Sequence, residues 1–190
     1  MSIEIIHTDN ILLALNYLIL GNPVKVISGN EFQKNGIKLT EKVPKYYNLN
    51  YNGSVNNPIL GKVALDLEGV KASLGHGIGK EKAAAFAAVP EVIKEGFIYN
   101  YENNWKNRGY DTAVIIAPIL YDNKRSACEV VIQIRPNRVG FYLHEVEEIK
   151  KLLSVFKTAT EGGTLQRASK LIIAQYLLHV NKKQFLESSP

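Results

Sequence analysis

Alternation of apolar and polar residues dominates the second half of the chain. Tyr110–Tyr121, Ser126–Arg135 and Val139–Glu147 are three such runs, and in the middle one Val130, Ile132 and Ile134 alternate with Glu129, Val131, Gln133 and Arg135. A period of two sends successive side chains to opposite faces of a strand. The separators Asp122-Asn123 and Pro136-Asn137 suit tight turns, so the three runs predict an antiparallel meander.

The first half follows a helical period with interruptions. Asp9 or Asn10 can cap a helix running to about Leu20, stopped by Gly21-Asn22-Pro23. Val24–Ile27 is a short strand, Thr40 with Pro44 predicts a helix toward Tyr47, and the Asn-rich stretch Asn48–Asn57 reads as a loop. Gly61–Leu67 reads as a strand with Val63, Leu65 and Leu67 on one face. Val70–Leu74 and Lys80–Val89 are then two helical pieces hinged at Gly75-His76-Gly77-Ile78-Gly79. Alanines at 83, 84, 85, 87 and 88 favour the helix. Pro90 opens a further turn and Gly96 ends it. Beyond Phe156, Thr158–Gly163 reads as a linker. Thr164–Asn181 reads as an amphipathic helix, with Leu171, Ile172, Gln175, Leu178 and His179 three and four apart. Helices first, an antiparallel sheet after and one closing helix make an α+β fold.

Composition narrows the class without naming a function. A chain of 190 residues can bury a real core, and shares of 46% apolar and 22% charged residues are those of a globular domain. The single cysteine, Cys128, excludes an intramolecular disulfide and reads as a small buried hydrophobe, which suits a reducing cytosol. Ile11–Leu20 is too short to span a bilayer, and no basic segment precedes it as in a signal peptide. The net charge of +5 is compatible with a polyanionic partner, but the excess lies mostly in 157–190, where five basic residues face two acidic ones.

Candidate chemistry gathers in three places. His76 stands between Gly75 and Gly77 at a predicted helix start, where exposed backbone N–H groups and the helix dipole favour an anion; Lys80 follows one turn later. The alternative is a helix-capping histidine. In the loop entering the first long strand, Lys106 and Arg108 can stabilise charge on a phosphate and Tyr110 can donate a hydrogen bond or stack on a base. Trp105 reads as the anchor of that loop. On the last strand Tyr142 and His144 share the face opposite Phe141 and Leu143, and form either a proton-transfer pair or a packing pair on a solvated face. Glu145 falls on the core face by the same count. The sequence carries no Walker-type phosphate loop, no complete dinucleotide fingerprint and no Cys/His metal spacing, so no metal or cofactor is expected.

Read in order, these segments resemble a known family. Leu60-Gly61-Lys62-Val63, Lys71–Gly77, Lys82–Ile93, Asn104–Thr112, Ile116-Ala117-Pro118-Ile119 and Phe141–Val146 are similar to the barnase/EndoU/colicin/RelE-like nucleases. The branch they resemble is that of phage polyvalent proteins and polymorphic, contact-dependent inhibition toxins. The resemblance covers about residues 24–157. It leaves 1–23 as an N-terminal helical extension and 158–190 as a linker and C-terminal helix. It implies N-terminal helices packed on a four- or five-stranded antiparallel sheet. It also implies metal-independent RNA cleavage by attack of the ribose 2′-OH, leaving a 2′,3′-cyclic phosphate.

By the same resemblance His76 and His144 are the base and acid in either order. Lys106 and Arg108 hold the phosphate, Tyr110 and Tyr142 are supporting donors, and Thr112 is a further candidate for holding the phosphate; Lys80 and Trp105, from their positions in the sequence, are added as substrate-binding candidates. The expected partners are RNA, with tRNA one candidate, and a cognate immunity protein whose acidic surface matches the site; no membrane is expected. The expected setting is the cytoplasm of a target cell, reached after release from a larger secreted or phage-encoded polypeptide. Two other functions fit the same residues: a non-catalytic RNA- or protein-binding module on this fold, and a nucleotide-dependent transferase.

Overall fold

A computed structural model describes residues 8–33, 36–75 and 77–149 of the chain. His76, the predicted linker 158–163 and the predicted C-terminal helix 164–181 lie outside the described residues. In chain order the elements begin with helix α1 (Thr8–Leu20), strand β1 (Val26–Ile27), helix α2 (Leu39–Tyr51) and strands β2 (Ser54–Asn57) and β3 (Gly61–Ala64). Helices α3 (Leu67–Leu74), α4 (Lys80–Ala85) and α5 (Val89–Glu95) follow, then strands β4 (Phe97–Glu102), β5 (Asp111–Tyr121), β6 (Lys124–Arg135) and β7 (Arg138–Glu148).

The predicted meander is the centre of the sheet. β5 and β6 pair antiparallel along their whole length, as do β6 and β7 apart from one irregularity. Asp122 and Asn123, both at positive φ, make the first two-residue turn; their short polar side chains tolerate a conformation whose twist suits a hairpin. Ala113, Ile115, Ala117 and Ile119 of β5, Cys128, Val130 and Ile132 of β6, and Phe141 and Leu143 of β7 face one core. Across from them stand Val43 and Tyr47 of α2, Val70 of α3, and Val92 and Ile93 of α5. Cys128 is fully buried there, as expected of a small hydrophobe, and burial pushes its thiol far above the ordinary range.

The fold is α+β, but its sheet is neither four- or five-stranded nor purely antiparallel. It has seven strands in the order β1-β5-β6-β7-β3-β2, with β4 also pairing β5. β1 is parallel to β5 through Val26 and Ile27, and β3 is parallel to β7 through Ala64. Those parallel contacts span one or two residues, too short to leave a periodic signal, and their partners lie far along the chain.

Three local expectations are also corrected. Asn48–Asn57 is not a loop: α2 continues to Tyr51, Asn52 closes it in the left-handed region, and Ser54–Asn57 is a strand. Buried Tyr47 donates its hydroxyl to Phe86 O at 2.8 Å and Tyr51 donates to Glu91 Oε1 at 2.6 Å, so tertiary packing overrides the poor helix propensity of asparagine. The strand from Gly61 stops at Ala64, because Asp66 accepts a hydrogen bond from Gly69 N at 3.0 Å and caps α3; Leu67 opens that helix instead of sharing the face of Val63 and Leu65. Lys80–Val89 is likewise broken after Ala85, and Val89-Pro90 begins α5.

α1 determines which part of the outer sheet face is left uncovered by it. Leu18 packs with Ala127 and Ile149, with Ile19 and Ile116 alongside. Arg125 fastens the helix end, its Nε donating to Leu18 O at 2.8 Å and its guanidinium also reaching Gly21 O. Beyond Ile116 and Ala127 the same face carries Glu129 and Tyr142 together with Val114 and Val131.

Candidate active site

Strand alternation in β6 buries Cys128 and Val130 and points Glu129 outward. On one side of it, the pairing of β6 with β7 slips by one residue: Leu143 lies opposite Val130 and Glu145 opposite Glu129, so His144 is the extra residue of β7. This β-bulge resets the alternation. His144 and Glu145 are both exposed, and Val146 returns to the core opposite Cys128. Glu145 therefore does not share the core face, and needs no buried partner.

A second bulge lies across the sheet. In β4, Ile98 pairs with Ile115 and Asn100 with Val114, so Tyr99 is the extra residue. Its side chain crosses β5 and its hydroxyl donates to Glu129 Oε2 at 2.8 Å. The other carboxylate oxygen, Oε1, lies 3.0 Å from His144 Nδ1. Two opposed bulges thus deliver a tyrosine and a histidine to one carboxylate. Tyr99 is held as a proton donor: burial first, and then the charge and hydrogen bond of Glu129, raise its phenol well above the ordinary range. Glu129 thus engages the imidazole through Nδ1, on a side chain 46% exposed.

Tyr142 stands beside this chain, its ring centroid 6.1 Å from that of His144. Its phenol is raised by burial and then by the nearby Glu129 and Tyr110. The predicted Tyr142–His144 juxtaposition on one face is present.

The predicted phosphate-holding residues belong to the β4–β5 connection. Asp111 fixes this loop from its base, accepting the Asn104 N–H on Oδ1 at 2.8 Å and the Tyr101 hydroxyl on Oδ2 at 2.7 Å. Asn104 Oδ1 accepts from Gly109 N at 2.8 Å, and Trp105 N donates to Tyr110 O at 2.8 Å. Asn104, Lys106 and Asn107 all take positive φ, a concentration of sparsely populated conformations that these hydrogen bonds sustain. Lys106 Nζ lies 4.6 Å and the Arg108 guanidinium 5.0 Å from the centroid of the Trp105 ring. Trp105 meets Tyr110 at 5.7 Å, and Arg135 covers Tyr110 at 5.2 Å while pairing with Glu68 at 3.1 Å.

The remaining predicted residues are placed differently. Thr112 lies on β5 between Glu102 and Gln133 and is only 6% exposed, so little of it meets a ligand. Lys80, at the start of α4, borders a cavity of about 660 Å³ with Phe32, Ile37, Leu39 and Ile78, apart from the Glu129–His144 group. His76 lies outside the described residues; α3 ends at Leu74, and Gly77 N donates to Leu74 O at 3.1 Å. Ser73 Oγ accepts the Leu143 N–H at 2.8 Å, so the C-terminal end of α3 lies against β7. Among the described residues no three His, Cys, Asp or Glu side chains gather to hold a metal ion, and no helix is long and apolar enough to cross a membrane.

Sequence reasoning missed Tyr99, Glu129 and Arg135. Glu129 was legible as an outward-facing acid in an alternating run, whereas the bulge carrying Tyr99 erases the alternation that would reveal β4. Comparison with models of protein families, with curated proteins and with solved structures finds no match to this chain.

Proposed function

We propose that this protein is a metal-independent endoribonuclease whose reacting centre is the polar sheet face around His144. The observation that carries the reading is the Tyr99–Glu129–His144 chain, in which one carboxylate orients a histidine and is itself fixed by a half-buried phenol. Orientation of a proton-transfer group by a second residue and of that residue by a third is the logic of activated hydroxyl attack.

The reaction balances with the groups available. One group removes the ribose 2′-OH proton as O2′ bonds to the adjacent phosphorus, and a second protonates O5′ as the P–O5′ bond breaks. The products are a 2′,3′-cyclic phosphate and a 5′-OH end. His144, oriented by Glu129, is one of these groups. His76, which the family resemblance pairs with it, is the other. Tyr142 donates a hydrogen bond to the phosphate, and Glu129 stabilises the imidazolium whenever His144 holds the extra proton.

On this reading the protein is a toxin nuclease of the barnase/EndoU/colicin/RelE-like type, acting on RNA such as tRNA and restrained by an immunity protein that covers the face. Purified protein incubated with tRNA and rRNA in EDTA should give discrete fragments ending in 2′,3′-cyclic phosphate, and none with His144→Ala. Intact RNA under all conditions would instead favour a binding module on the same fold.

A further inference from the structure

Lys106 and Arg108 differ from the other basic residues near the site. Arg135 is matched by Glu68, and Arg138 by Asp66 and Glu68. Among the described residues neither Lys106 nor Arg108 has a carboxylate partner; both are held instead at the face of Trp105. An indole positions a cation without neutralising it, so two positive charges stand fixed and uncompensated at the tip of a loop. That loop is rigid by its hydrogen bonds and expensive in its backbone, a combination expected where geometry is used.

The loop also stands away from His144. Between them come Tyr110 beside Trp105, and then Tyr142, which aligns through Val131 with Val114, four residues along from Tyr110, and whose ring lies 6.1 Å from that of His144. A phosphate over His144 and Tyr142 is therefore not the phosphate nearest Lys106 and Arg108. We infer that the Trp105 loop is a second subsite, which grips a flanking phosphate and stacks a neighbouring base of a single-stranded RNA. The substrate is accordingly an unpaired run several nucleotides long, because bases must splay onto the Arg108 and Arg135 guanidinium groups that cover Trp105 and Tyr110, which a duplex does not permit. This inference rests on the ribonuclease reading for its choice of ligand, and refines the expectation that Lys106 and Arg108 hold the reacting phosphate.

The test uses a fluorescent hexanucleotide with 2′-deoxyribose at every position, which binds but cannot be cleaved. Its affinity for the full chain is measured by anisotropy across salt concentrations. Lys106→Ala combined with Arg108→Ala should weaken binding roughly tenfold or more, and should reduce the slope of log K against log salt by about 1.4, two contacts at about 0.7 each. Lys106→Arg with Arg108→Lys should keep the slope, which separates lost charge from a collapsed loop. Trp105→Ala should weaken binding while changing the slope less. In parallel, the kcat/KM advantage of an RNA hexanucleotide over a dinucleotide should shrink in the double alanine variant. An unchanged affinity and slope, failure of the wild-type chain to bind the hexanucleotide, or equal binding of a duplex of the same length would each overturn the subsite. Binding with the expected slope change but no RNA cleavage would leave the subsite standing and defeat the ribonuclease reading alone.

Discussion

His144 Nδ1 lies 3.0 Å from Glu129 Oε1, although the two residues are not cross-strand partners. In regular pairing a histidine at this position would sit opposite a different residue of β6. Contact exists because β7 carries one residue more than β6 at this point, so the pair is a product of backbone geometry as much as of residue choice.

Separating orientation from proton transfer is the first prediction. His144→Ala should lower kcat/KM on RNA by about 10²-fold or more, the range for loss of a positioned acid or base. Glu129→Gln preserves shape but not charge, and should lower kcat with little change in KM. Wild-type rates in both variants would remove His144 from the mechanism.

Tyr99→Phe deletes one hydroxyl and leaves the ring in place. Hydrogen bonds to charged groups contribute about 1.5–3 kcal/mol, so urea unfolding at neutral pH should show a loss of that order. The folded-state phenol is raised above its unfolded value near 10, so its contribution is complete below about pH 10 and is lost as pH climbs through the folded-state value. The stability gap between wild type and Tyr99→Phe should therefore be flat at neutral pH and narrow only in strong alkali. A gap that narrowed between pH 6 and 8 would contradict the assignment.

Asp66 gives the opposite sign on the acid side. Burial alone would raise its carboxyl, but hydrogen bonds from the Arg138 guanidinium, at 2.7 and 3.1 Å, and from Gly69 N hold it below the ordinary range. Its stabilisation is present above the unfolded value, about 3.9, and disappears as pH falls through the depressed folded one. Asp66→Asn retains a competent helix cap while losing the ion pair. Acid titrations of the two proteins should converge at low pH, and parallel curves would show that the pair contributes nothing.

Gly69 is required by proximity. A Cβ there would lie 2.4 Å from the Phe141 ring and 2.8 Å from Phe141 O, so α3 must move away from β7 to accept one. Gly69→Ala should destabilise by about 1–3 kcal/mol, overpacking outweighing the better helix propensity of alanine. Thermal unfolding measures the sum, and a stabilised variant would show that α3 can shift freely.

Much of this arrangement could be read from the residues. β5, β6 and β7 begin and end within about two positions of the predicted runs, because their alternation is long and their turns are chemically explicit. The shared face of Tyr142 and His144 followed from the same count. Phe97–Glu102 was not legible as a strand, since the bulge at Tyr99 places two polar residues in succession where alternation requires one. The Glu129–His144 contact was hidden for the same reason: a bulge is decided by the pairing of two strands, and counting along one strand cannot locate it. Asn48–Tyr51 read as a loop because the stabilising partners of Tyr47 and Tyr51, Phe86 and Glu91, stand far away in sequence.

The pairing of β1 with β5 and of β3 with β7 joins segments far apart along the chain, Val26 with Leu120 and Ala64 with Gly140, whereas β4, β5, β6 and β7 follow one another through short connections. Local closures cost less entropy and form sooner than distant ones. Tyr99, Glu129, Tyr142 and His144 all belong to the early set, so pulse-labelled hydrogen exchange during refolding should protect β5–β7 before β1 or β3. The Tyr99–Glu129–His144 geometry would then be assembled by a contiguous stretch, Phe97–Glu148, and the parallel strands would close around a centre already in register.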